Sequence, residues 1–182
     1  MGDSMSSIVI SGDTSGAITL SAPAVAGTNT ITLPAATGTV MVSGNMPAFF
    51  AYNSGSSQNI SANTLTKATL NATEFNTSSA FDTTNSKFLP TVAGYYQIDA
   101  SIYFNYGGSA PSWMDLYVYK NGASVRWART LLAWGVVTTS SVIYLNGTTD
   151  YVELYGYVQT NAGQIIASQS ATYLSGSLVR TA

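Results

Sequence analysis

Eight carboxylates, six cations and twelve tyrosines carry nearly all the chemistry open to this 182-residue chain, which contains neither histidine nor cysteine. That leaves no imidazole base, no thiolate nucleophile, no disulfide framework and no ordinary zinc or haem ligand set. The acids available for proton transfer are Asp82, Asp99, Asp115, Asp150 and Glu153, with Glu74 expected in a loop. Glycoside hydrolysis needs two carboxylates facing one cleft. Asp115 and Glu153 would share a sheet if their strands were neighbours, but a flat sheet offers no cleft. Asp82 and Asp150 fall in turn sequences, where a carboxylate that caps backbone N–H groups is a simpler reading than calcium held with loop carbonyls. No Gly-x-Ser-x-Gly, P-loop or Gly-x-Gly-x-x-Gly pattern occurs. We therefore expect no catalytic residue, no metal and no cofactor: this chain reads as a protein that binds or builds, not an enzyme.

Charge narrows the partners. Only 8% of residues are charged and the net charge is −2, which gives no electrostatic footprint for nucleic acid. Serine, threonine and asparagine make up about a third of the chain, so the surface is one of hydroxyls, amides and phenols. Apolar runs reach only four or five residues, against the roughly twenty needed to cross a bilayer, and no membrane insertion is expected. The first residues show neither the basic nor the apolar region of a secretory signal. Met1-Gly2-Asp3-Ser4-Met5-Ser6 matches the myristoylation pattern, but the in-line Met5 offers a second start and no lipid is expected. Asn59, Asn71, Asn76 and Asn146 head Asn-x-Ser/Thr triplets, a frequency that chance explains in so Asn- and Thr-rich a chain.

The elements that position these groups divide near residue 45. Residues 6–44 carry short alternating pairs, Ile8 with Ile10, Ile18 with Leu20, Ile31 with Leu33 and Val40 with Val42, separated by Gly, Pro and Ser. These are expected to be strands of a few residues with no core of their own, ordered only by lying against a sister chain or a larger surface. Every Tyr, Trp and Phe lies beyond Pro47, where period-two runs recur between turn signals, as in an all-β sandwich. Tyr95–Asn105 is the longest strand. Trp113–Lys120 ends at Asn121-Gly122, a two-residue hairpin signal that leads into Ser124–Thr130. Val136–Leu145, Asp150–Gln159 and 171–180 follow.

Parity sorts the strand faces. Tyr96, Ile98, Ala100, Ile102 and Phe104 point inward from the long strand, with Tyr95, Gln97, Asp99, Ser101 and Tyr103 on its other face. Met114, Leu116 and Val118 point inward from the next, leaving Trp113, Asp115, Tyr117 and Tyr119 outward. Val152, Leu154 and Val158 are inward, and Tyr151, Glu153, Tyr155 and Tyr157 outward. Solvent-facing sheet faces normally carry Lys, Glu and Thr. Tyrosine-rich ones suit partner contact, because tyrosine gives a large contact area at low entropic cost.

Phe81-Asp82-Thr83-Thr84-Asn85-Ser86-Lys87-Phe88-Leu89-Pro90-Thr91-Val92-Ala93-Gly94-Tyr95-Tyr96-Gln97-Ile98 resembles the signature of the complement C1q/TNF-like jelly roll: an acidic turn, Phe, Pro, then Gly-x-Tyr opening the central strand. Leu116-Tyr117-Val118-Tyr119-Lys120-Asn121-Gly122 is similar to the family's Lys-Asn-Gly hairpin. Thr149-Asp150-Tyr151-Val152-Glu153-Leu154 stands where the family has Gly-Asp-x-Val, with Thr149 replacing the glycine. Tyr173-Leu174-Ser175-Gly176-Ser177-Leu178 resembles its closing strand. The resemblance covers residues 47–182. It implies a ten-stranded jelly-roll sandwich assembled as a homotrimer, with the Tyr95–Asn105 and last strands in an inner sheet around the threefold axis. Tyr95, Gln97 and Tyr103 would then lie in the trimer interface. Trp113, Tyr117, Tyr119, Tyr155 and Tyr157 would form a binding surface on the outer sheet. The chain departs from the animal members in having no collagen-like stalk and no cysteine.

Gly12-Asp13-Thr14-Ser15-Gly16, Ala22-Pro23-Ala24, Ala26-Gly27-Thr28-Asn29-Thr30 and Leu33-Pro34-Ala35-Ala36-Thr37-Gly38-Thr39-Val40 resemble segments of tailed-phage fibre and virion structural proteins. The expected whole is an extended N-terminal attachment segment, residues 1–45, followed by a knob, residues 46–182, displayed on the surface of a phage particle. Its partners would be itself, other virion proteins through residues 6–44, and a host surface glycan or protein. A capsid decoration protein is the alternative, and a polysaccharide-degrading virion enzyme a remote one.

Overall fold

The computed structural model describes residues 7–25, 27–31, 35, 38, 40–106, 109, 111–131 and 135–182. Two compact units divide between Gly38 and Thr39, earlier than the boundary at residue 45 that composition indicates. Met41 already packs against the core of the larger unit. The turn Ser43–Asn45 is closed by Asn45, which accepts from Val42 N at 2.7 Å and donates to Val40 O at 3.2 Å.

In the smaller unit, β1 (Ser7–Ser11) and β2 (Ala17–Ser21) form an antiparallel hairpin in which Ile8 faces Leu20 and Ile10 faces Ile18. Gly16, at φ +77°, supplies the turn with the left-handed conformation that glycine adopts without strain. Of the other two expected strands, the one at Val40–Val42 does not form among the described residues. Ile31, Val40 and Val42 lie in no strand, and Leu33 falls outside the described residues. No neighbouring segment pairs with them among the described residues, and a strand without a ladder leaves its backbone groups unpaired.

The larger unit is a sandwich of two antiparallel sheets. Its strands are β3 (Ala48–Tyr52), β4 (Gln58–Ile60), β5 (Thr66–Lys67), β6 (Ala72–Asn76), β7 (Phe81–Asp82), β8 (Lys87–Phe88), β9 (Gly94–Asn105), β10 (Met114–Lys120), β11 (Ala123–Thr130), β12 (Gly135–Leu145), β13 (Val152–Val158), β14 (Gly163–Ile165) and β15 (Tyr173–Thr181). One sheet runs β11-β10-β13-β8-β7, with β5 also on β13. The other runs β4-β14-β9-β15-β3-β6, with β12 also on β9. Among the described residues that is six and seven strands, more than the ten expected, because two- and three-residue pieces such as β5, β7 and β14 count separately. Glu74 lies within β6, paired with β3, and not in a loop.

Parity places the core as the sequence indicates. Tyr96, Ile98, Ala100, Ile102 and Phe104 of β9 and Met114, Leu116 and Val118 of β10 are buried between the sheets, with Val152, Leu154 and Val158 of β13. Phe49 stacks on Phe88 at 4.2 Å, and Phe88 meets Tyr96 edge-on at 5.3 Å. Burial pushes the Tyr96 phenol up to about 12, and its hydroxyl donates to Val92 O at 2.7 Å. Asn121 and Gly122, at φ 52° and 79°, make the turn of the β10–β11 hairpin. Gly94 opens β9 for a steric reason: a Cβ there would lie 2.5 Å from Arg180 O, where β15 is irregular between Leu178 and Arg180.

Candidate functional site

The outward face of the β10 sheet is an array of rings threaded by ion pairs. Register sets its rows. Trp127 of β11 lies opposite Tyr117 of β10, and Tyr117 opposite Tyr155 of β13. In the next row Arg129 faces Asp115, and Asp115 faces Tyr157. Tyr117 and Trp127 lie 6.4 Å apart with nearly parallel planes, and Tyr119 and Tyr155 are 4.6 Å apart. All five residues expected on this surface are on or beside it, with Trp113 just ahead of β10. Arg129 stacks against the rings of Trp113, at 4.5 Å, and Trp127, at 5.3 Å. Trp127, Arg129 and Lys67 are the members that sequence reasoning missed. The strand of Trp127 and Arg129 was legible, but its faces go undetected because nearly every residue of β11 is at least partly exposed and no apolar alternation marks a side.

Asp115 and Glu153, expected outward, are on that face but buried. Arg129 covers Asp115 with two hydrogen bonds, Nε to Oδ1 at 2.7 Å and Nη2 to Oδ2 at 2.8 Å, and Lys67 pairs with Glu153. The Tyr117 hydroxyl donates to Asp115 at 3.1 Å and the Tyr155 hydroxyl to Glu153 at 3.2 Å. Burial, with the adjacent carboxylate, raises both phenols, Tyr155 to about 12. The hydrogen bond to Asp115 raises the Arg129 guanidinium further still. Asp115 and Glu153 therefore do not face each other across a site. Asp115 lies opposite Tyr157 and Glu153 opposite Tyr119, an offset of four residues, or about 13 Å at the usual rise.

The outward face of the β9 sheet is built differently. Tyr95, Gln97 and Tyr103 lie on it beside Tyr144, Val142 and Val136 of β12. Val136, Val142, Tyr144 and Tyr95 are exposed. Gln97 donates to Asp99 at 2.9 Å, and Ser140 donates to the same carboxylate at 2.6 Å. No cation pairs with Asp99 among the described residues. Tyr95 and Tyr144 meet at 5.4 Å, and Phe50 stacks on Tyr173 at 4.9 Å. Ser101, expected outward, is buried beneath the loop before β15, donating to Ala171 O.

The two turn acids act on their own loops. Asp82 accepts from Thr84 N, Asn85 N and Asn85 Nδ2, and the Asn85 side chain holds it below its usual range. Asp150 pairs with Lys120 at 2.8 Å and accepts from Asn121 Nδ2 at 2.6 Å and Asn146 N at 3.0 Å, and Lys120 likewise holds it low. No group of three acids or other metal-binding side chains clusters among the described residues. A groove of about 630 Å³ runs along β4 and β14 and is lined by residues such as Asn59, Asn161 and Gln164, with no titratable side chain.

Two antiparallel sheets with β15 between β3 and β9, and β10 between β11 and β13, form a C1q/TNF-like jelly roll. Solved structures show the likeness. Murine APRIL matches with a TM-score of 0.59 at 11% identity, over 74% of this chain and 99% of that one. Eiger TNF from S. frugiperda matches at 0.56 and 8%, over 75% and 93%. The globular domain of zebrafish complement 1qA matches at 0.55 and 14%, over 75% and 99%. No protein-family model and no curated protein matches the sequence.

Proposed function

We propose that this chain is a non-enzymatic structural protein of a tailed-phage virion, a homotrimeric surface knob joined to the particle through residues 6–44 and contacting the host surface. The observation that carries the trimer is the β9-sheet face. It leaves Val136, Val142 and Tyr144 exposed on one edge strand beside Tyr95 and, among the described residues, has no cation paired with Asp99, as a surface awaiting a second copy would. Folds of this class are typically trimeric and serve in binding. The virion setting rests on the phage-like segments before residue 45. It also rests on a hairpin whose four facing aliphatic side chains are more than half exposed and which, as two strands, is marginal on its own.

The β10-sheet face would then look away from the assembly, toward the host. Two measurements test this together. Light scattering of the purified chain should give three times the mass of one protomer. Cryo-electron microscopy of the particle should place few copies at the tail, with deletion of residues 1–44 leaving a trimer that no longer joins. Many copies on the shell lattice would make it a decoration protein, and a monomer in solution would remove the trimer.

A further inference from the structure

We propose that the row Trp127–Tyr117–Tyr155 is a platform for an uncharged carbohydrate chain. The inference rests on the reading that the β10-sheet face looks outward, and it names what that face would hold. The three rings occupy directly opposed positions on adjacent strands, which at about 4.8 Å between strands makes a row roughly 10 Å long across the sheet. Trp127 is 57% exposed, yet its plane is fixed, since Tyr117 lies nearly parallel to it and Arg129 stacks on it. An exposed ring held in place loses little freedom when a flat ligand settles on it.

Charge selects the class of ligand. The two carboxylates that flank the row are buried and paired, Asp115 with Arg129 and Glu153 with Lys67, and each also accepts a bond from a ring of the row, while Lys87 and Asp82 lie beyond Glu153, further along the face. An anionic or cationic partner finds no unpaired ion along the row, whereas a sugar needs none. Its C–H face lies on an aromatic ring, and its hydroxyls exchange hydrogen bonds with phenols. The groove along β4 and β14 is lined by none of these rings, and a protein partner draws most of its affinity from anchors seated in desolvated pockets.

The full chain is to be passed over immobilised neutral polysaccharides (dextran, mannan, galactan and a β-glucan) beside acidic ones (hyaluronan and polysialic acid). At least one neutral polymer should retain it, with an affinity that changes less than about twofold between low and high salt, because no ion pair forms. Trp127→Ala should weaken retention about tenfold or more, while Trp127→Phe, which keeps a ring, stays within about threefold. Circular dichroism confirms that each variant folds. Retention by acidic polymers alone with strong salt dependence, retention by none, or full retention by Trp127→Ala overturns the proposal. Light scattering on the same samples separates this from the assembly reading. A trimer that binds no neutral glycan removes only the platform, and a monomer that binds one removes only the trimer.

Discussion

The two sheets of the knob carry the same kind of outward sequence, tyrosines alternating with core residues, yet they resolve it in opposite ways. On the β10 sheet each buried carboxylate has its own cation, and the phenols of Tyr117 and Tyr155 close on those carboxylates. The carboxylates that flank the ring row are thus paired within one chain. On the β9 sheet Asp99 has, among the described residues, Gln97 and Ser140 but no cation, and Val136, Val142 and Tyr144 stand exposed along β12. That face is satisfied only in part by its own chain. Tyrosine content alone therefore does not tell an assembly face from a ligand face. What does is whether the polar groups between the rings already have partners.

The largest effect expected from breaking this contrast is on assembly. Tyr95→Lys puts a charge on the incomplete face, where a neighbouring protomer would have to bury it without a partner, at a cost on the order of 3 kcal/mol. Light scattering should show the trimer falling to monomers at micromolar concentration, while the melting of the monomer stays within about 0.5 kcal/mol, because Tyr95 is part-exposed in the single chain. An intact trimer would mean that this face looks at solvent.

Asp115→Asn breaks the paired face from within. It keeps the shape but removes the charge-assisted bonds to Arg129, and urea titration should record a loss of about 2 kcal/mol. The trimer should be untouched. The smallest effect is on pH dependence. Tyr96 and Tyr155 hold their protons to about 12 in the folded chain, whereas exposed phenols release theirs near 10. The unfolded chain thus loses protons first, and stability should fall as pH rises from about 10 to about 12. Tyr155→Phe should flatten that slope, and an unchanged slope would show that the phenol is not held as described.

Much of the sandwich was legible because the core alternates strictly. The inward residues of β9, β10 and β13 follow from parity alone, and Asn121-Gly122 announces its hairpin. What escaped depends on long-range pairing. Nothing local in the sequence says that Lys67 will reach Glu153 or that Arg129 will clasp Asp115, so two acids that read as exposed are buried. Trp127 escaped for another reason: β11 has no buried side to give its alternation away. The short strand expected near Val40 had the right pattern, but a pattern becomes a strand only where another segment offers it a ladder.

The position of β15 governs how this protein can be made. It inserts between β3 and β9, so the first strand of the larger unit and its longest strand are joined through residues 173–181, which leave the ribosome after both. Until those residues emerge, β3 has only β6 beside it and one edge of β9 lies largely open, the kind of edge that pairs with the wrong chain. Closing the sheet links segments more than a hundred residues apart, and such topologies fold slowly. The face proposed to join three protomers includes β15 itself. Nascent chains of the proposed trimer therefore could not assemble early, and a chain cut short before residue 173 would offer it no competent subunit.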